Sequence, residues 1–110
     1  MSCLFCKIAA GEIPASLVHE SDRIVAFNDI DPKAPVHVLV VPRTHHDNIA
    51  ALTAADPELA AEFIAVAAKL GAANPDGFRV VMNTGADGGQ SVNHVHAHVL
   101  AGRGLAWPPG

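Results

Sequence analysis

The chain has 110 residues, half of them hydrophobic and only 16% charged, which allows one compact core and leaves little room for disorder. The formal net charge is -4 and the seven Lys and Arg residues are scattered singly, so no basic stripe can neutralise a polynucleotide backbone. A small anionic ligand held by backbone N–H groups and histidines stays open.

The opening residues have neither the basic start nor the apolar stretch of a secretory signal, and no run approaches the roughly 18 apolar residues of a bilayer span. We therefore expect a reduced, cytoplasmic setting without membrane contact. Cys3 and Cys6 stand in Cys-x-x-Cys spacing. A redox pair, two free structural thiols and half of a zinc site are all open readings of it. Residues 4–10 predict a short helix, closed by Gly11 and turned by Pro14. Residues 17–20 and 24–28 predict two strands, joined by the polar turn Glu20-Ser21-Asp22-Arg23. Residues 30–35, with Pro32 and Pro35, cannot continue a ladder and predict a loop. Residues 36–42 are a β-branched run ended by Pro42, in which His37 faces opposite to Val36, Val38 and Val40.

A helix follows, with Asp56 as N-cap, Pro57 at its first position and Glu58 at the positive end of its dipole. Leu59, Phe63, Val66 and Leu70 form its buried stripe, and Asn74-Pro75 stops it. Residues 78–83 predict a strand, 84–90 a glycine-rich loop, 91–100 a final strand and 101–110 an irregular tail. The order predicts a single α+β domain over 1–110, with an antiparallel five-stranded sheet and one main helix.

His94, His96 and His98 alternate with Val95, Ala97 and Val99, which on a strand turns three imidazoles to one face. His37 is placed like them on a neighbouring strand. Burying four imidazoles without a task costs desolvation that packing does not offset. Either they chelate a metal, or one is a nucleophile whose neighbours stabilise charge. Three consecutive same-face residues fan out along a strand rather than converging, which disfavours a catalytic metal on all three. The preceding Gly85, Gly88 and Gly89 permit close backbone approach, and Gln90 and Ser91 add polar donors, a combination suited to phosphate.

The stretch Gly88-Gly89-Gln90-Ser91-Val92-Asn93-His94-Val95-His96-Ala97-His98-Val99-Leu100 resembles the signature of the histidine triad family. The likeness extends to Leu4-Phe5-Cys6-Lys7-Ile8, Asp29-Ile30, Val41-Pro42-Arg43-Thr44-His45 and the ending Trp107-Pro108-Pro109-Gly110. That ending is similar to the branch that hydrolyses nucleoside phosphoramidates. The resemblance implies that His96 attacks the α-phosphorus of a purine nucleoside phosphoramidate, of the adenosine 5'-phosphoramidate type, and forms a nucleotidyl-histidine intermediate. It implies that His98 and Ser91 hold the phosphate oxygens and leaving group, with Gln90 and Gly89 nearby and His37 completing the cluster. Asp29 would bind the ribose, Asn83 would line the nucleotide site, and Phe5, Ile8, Phe27 and Ile30 would form the slot for the base. Trp107 would reach the neighbouring subunit's site in a two-fold symmetric homodimer. The family also implies a structural zinc on Cys3, Cys6, His45 and His94, with no catalytic metal. Asn93, Ala97 and Ala101 depart from the commonest pattern without removing a reacting group. A nucleotide-binding regulatory or scaffolding protein, and a dinucleoside polyphosphate hydrolase, are the alternatives; the Trp-Pro-Pro-Gly ending speaks against the second.

Overall fold

A computed structural model describes residues 3–109 of the chain. Helix α1 (Leu4–Ala9) leads into strands β1 (Leu17–Glu20), β2 (Ile24–Asn28) and β3 (Val36–Pro42). Helices α2 (Ile49–Ala55) and α3 (Pro57–Ala72) precede β4 (Phe78–Val81) and β5 (Ala97–Ala101). The five strands form one sheet in the order β1-β2-β3-β5-β4, every neighbour antiparallel. The α+β architecture with a five-stranded antiparallel sheet is thus the one the sequence predicts.

The sheet separates two apolar clusters, which explains why β2 and β3 are continuous hydrophobic runs rather than alternating ones. On one face, Ile24, Ala26, Val38, Val40, Ala97 and Val99 pack against Leu52 of α2 and Leu59, Phe63 and Ala67 of α3. On the other, Val25, Phe27, Leu39 and Val41 meet Phe5 and Ala9 of α1. A cleft between α1 and the sheet, lined by Phe5, Ile8, Phe27 and Leu39, opens on this second face. Helix α3 starts as expected: the Asp56 carboxylate accepts the Leu59 N–H at 3.1 Å, and Pro57 occupies the first turn. Near its end, Gly71 backs directly onto the Phe78 ring, leaving no space for a Cβ.

Three boundaries differ from expectation. Helix α2 lies in a stretch where no helix was predicted; Asn48 caps it by accepting the Ala51 N–H at 2.9 Å. Only Leu52 of its residues is fully buried, so there is no apolar stripe for periodicity to detect. Strand β4 ends at Val81 rather than at residue 83. The last strand begins at Ala97, not at residue 91. Ala97 already faces Val40, and continuing the ladder would bring its neighbours opposite Pro42, which has no N–H to give. The chain instead turns aside: the Val95 N–H goes to the His46 carbonyl at 2.7 Å, and the His94 ring to the Pro42 carbonyl at 2.8 Å.

Candidate active site

Although His94 and His96 precede β5, the alternation holds: Val95, Ala97 and Val99 pack on the α3 side, and the three triad rings lie on the α1 side, His94 and His96 both against Phe5. His94 is fully buried against Cys3, Cys6 and His45, while His96 and His98 line the cleft beside α1. That cleft encloses about 550 Å³ and is lined by Phe5, Ile8, Phe27, Asp29, Ile30, Ser91, His96 and His98 among others. Eight of the predicted site residues therefore converge. The Phe5 ring stands edge-on to Phe27, with centroids 5.7 Å apart, and edge-on to His96 at 5.0 Å. Ile30 is fully exposed at the rim, which leaves the apolar slot open on that side.

The hydrogen bonds fix which nitrogen of each imidazole holds a proton. The Nδ1 of His96 lies 2.8 Å from the His94 carbonyl, an acceptor only, so Nδ1 carries the proton and Nε2 keeps a bare lone pair. The Lys33 backbone N–H donates to His37 Nδ1 at 3.0 Å, which leaves the His37 proton on Nε2. That Nε2–H meets His98 Nδ1 at 2.9 Å, with an Asp29 carboxylate oxygen 3.4 Å away. His98 Nδ1 accepts, so the His98 proton is on Nε2. Burial, followed by the neighbouring His96 and His37, pushes the His98 pKa down to about 4, and the ring is neutral at pH 7. The cluster thus pairs a lone pair on His96 with an N–H donor on His98, their ring centroids 5.0 Å apart. Asp29, His37 and His98 also lie close enough for a cation. The Lys33 bond to Nδ1 makes a hydrogen-bond chain the better description, since a metal at His37 Nε2 would displace the ring's only proton.

Four predicted residues lie elsewhere. Gln90 is a strut: its Nε2 donates to the Asp47 and Val92 carbonyls at 2.6 and 3.0 Å, and its Oε1 accepts the Gly85 N–H. Asn83 braces the same loop through the Gly88 carbonyl at 2.7 Å. Gly89 turns that loop at φ +77° without lining the cleft. Trp107 is 81% exposed, on a tail that Arg79 holds through the Leu105 and Ala106 carbonyls. The sequence reading missed Ser16 and Asn28, which line the cleft joined by a 3.0 Å bond. Asn28 directly precedes Asp29, and that adjacency was the available signal.

Cys3, Cys6, His45 and His94 come together with one ligand atom each, all within 4.8 Å of one another. The two Sγ atoms lie 3.4 Å from His94 Nδ1, and Cys6 Sγ lies 3.3 Å from His45 Nδ1. The S···N edge of a tetrahedral zinc site is about 3.5 Å. Each histidine is oriented for the task by its other nitrogen, His94 by the Pro42 carbonyl and His45 by Asp47 at 3.1 Å. Burial and the facing Cys3 raise the Cys6 thiol to about 11. At Cys3 burial acts upward too, but hydrogen bonds from Cys6 and then His45 outweigh it and lower the pKa. The two thiols are thus pushed in opposite directions, whereas a divalent ion would favour the thiolate of both. The donor set and geometry fit such an ion.

The HIT domain family model matches residues 10–105. A HIT family hydrolase from Legionella pneumophila has a solved structure that superposes with a TM-score of 0.93 at 47% identity, covering 99% of this chain and 100% of that one. A histidine triad protein from Clostridium difficile gives 0.90 at 45% identity, covering 96% and 95%. Among sequences, an uncharacterized HIT-like protein of Synechococcus elongatus is 46% identical over 97% of this chain and 96% of its own length. Protein HitA of Neisseria gonorrhoeae is 41% identical over 90% and 94%.

Proposed function

The chain belongs to the HIT (histidine triad) family, and we propose that it hydrolyses purine nucleoside phosphoramidates at the α-phosphorus, with His96 as nucleophile. A HIT family hydrolase among its structural neighbours supports hydrolysis in general. The observation that carries the specific reading is the proton placement: the His96 Nδ1–H is tied to the His94 carbonyl, leaving Nε2 free beside the His98 N–H.

The base enters the apolar slot of Phe5, Ile8, Phe27 and Ile30, and the ribose lies against Asp29. His96 Nε2 attacks phosphorus; the phosphorus–nitrogen bond breaks, and its electron pair leaves with the amine, which takes a proton from water. Positive charge now on the His96 ring is shared with the His94 carbonyl through Nδ1–H. The His98 Nε2–H and the Ser91 hydroxyl donate to the phosphate oxygens as charge develops there. A second water then attacks phosphorus and gives its proton to the hydroxide left by the first step, as the bond from phosphorus to Nε2 breaks and releases the nucleoside monophosphate and neutral His96. Cys3, Cys6, His45 and His94 would hold a structural zinc, which when bound would fix the His94 backbone that His96 leans on. No described helix is long and apolar enough to cross a membrane. The working form we propose is a homodimer.

A turnover assay comparing adenosine 5'-phosphoramidate with diadenosine polyphosphates tests the substrate class. The reading requires faster hydrolysis of the phosphoramidate; preference for the polyphosphate would overturn it. The alternative, a regulatory or scaffolding binder with incidental activity, requires tight nucleotide binding with only slow turnover of both.

A further inference from the structure

His98 is useful to the proposed reaction only while its proton stays on Nε2, and that placement depends on groups outside the cleft. His98 Nδ1 accepts from His37 Nε2, and His37 donates there because Lys33 N–H occupies its Nδ1. Lys33 sits in the exposed loop between β2 and β3. The first half of that loop is self-braced, with the Asp31 N–H on Asp29 Oδ1 at 2.8 Å and the Asp29 N–H on the His37 carbonyl at 2.9 Å. The Lys33 ammonium points outward to Asp31 in a solvent-exposed pair, which restrains the backbone little.

The backbone at Lys33 is instead held from the far end of β5. Arg103 directs Nε at 3.0 Å and Nη2 at 2.8 Å onto the Lys33 carbonyl, while its Nη1 is fixed on the Gly104 carbonyl at 2.8 Å. Gly102, at φ +93°, supplies the turn that delivers this side chain, and it presses on Pro35 so closely that an added Cβ would stand 2.8 Å from the Pro35 Cβ. Two consecutive residues after β5 therefore clamp the second half of the loop.

We propose that Arg103 is a positioning residue for the hydrolytic site, whose forked grip on the Lys33 carbonyl keeps the Lys33 N–H on His37 and thereby sets the protons of His37 and His98. When Lys33 drifts away, His37 Nδ1 is free to carry the proton and Nε2 becomes an acceptor. His98 then turns its own proton inward to Nδ1, and the nitrogen facing the phosphate loses its N–H. No charge changes; the direction of the chain reverses, and His37 Nε2 gives up the proton it holds 3.4 Å from the Asp29 carboxylate.

The effect on turnover rests on the proposed hydrolysis, but the effect on His37 does not, so the two are measured separately. Nitrogen-15 NMR of the histidine rings in wild type, Arg103→Ala and Arg103→Lys reads the tautomers without substrate. Wild type should show His37 protonated at Nε2. Arg103→Ala should shift it toward Nδ1–H, and Arg103→Lys, with one donor for the same carbonyl, should recover most of the wild-type signal. With adenosine 5'-phosphoramidate, Arg103→Ala should lower kcat about tenfold, less than the loss from a full ångström of misplacement. KM should stay within about twofold, because the donor matters most as charge develops. Unchanged His37 shifts in Arg103→Ala would overturn the inference whatever happens to turnover. A changed tautomer with undiminished kcat would overturn the positioning role. If wild type fails to turn over the phosphoramidate, the substrate reading fails while the NMR result still decides the role of Arg103 toward His37.

Discussion

His98 illustrates how one buried ring couples the site to pH. Its pKa in the folded protein is about 4 against an ordinary 6.5, chiefly through burial. Between those values the unfolded chain takes a proton that the folded ring refuses, so stability present above pH 6.5 is lost as pH falls toward 4. Urea unfolding at pH 7 and pH 5 should therefore show a smaller loss for His98→Asn than for wild type; equal losses would mean the ring titrates normally. The other residues of the cleft divide by how visible they were. The alternation of His94, His96 and His98 with small apolar residues was legible, as was the Cys-x-x-Cys spacing, because both depend on chemistry carried in a few adjacent positions. The different fates of the three rings were not: His94 meets Cys3, Cys6 and His45 rather than the cleft, which only the tertiary fold decides. Gln90 likewise carries phosphate-binding chemistry in sequence, yet in the fold its amide is spent on Asp47, Val92 and Gly85.

Elements with strong local signals were legible to within a residue or two. Helix α3 announced itself through Asp56, Pro57 and a stripe at helical spacing, and β3 through an unbroken β-branched run. Helix α2 stayed hidden because one buried leucine among alanines has no period. Gly71 is the sharpest test of how α3 packs. In an isolated helix Gly→Ala gains roughly 1 kcal/mol from propensity. Here the Phe78 ring occupies the space a methyl group would need. Overpacking costs typically ~1–3 kcal/mol, so Gly71→Ala should lower stability on balance, with Phe78→Ala as a second change relieving the clash. A Gly71→Ala protein more stable than wild type would show that β4 yields freely.

Over the whole molecule, the sheet ends in β4, whose Phe78 and Val80 are exposed. A second copy meeting this edge would bury both, and light scattering should report a dimer at micromolar concentration; a monomer would remove the basis for assigning Trp107 to a neighbouring site. The Cys3, Cys6, His45 and His94 group ties α1 to the segments flanking α2 and β5. Metal analysis after chelator-free purification should find about one zinc per subunit, and Cys6→Ser should lose it and lower the melting temperature; a metal-free protein of undiminished stability would contradict the assignment. The central claim, that His96 is the nucleophile, is tested most directly by rapid quench with a labelled phosphoramidate. The account predicts acid-labile, base-stable nucleotide on the wild-type protein, none on His96→Ala, and turnover of that variant reduced at least ~10³-fold. Burst-phase turnover without protein-bound nucleotide, or a His96→Ala protein that hydrolyses the substrate nearly as fast as wild type, would contradict it.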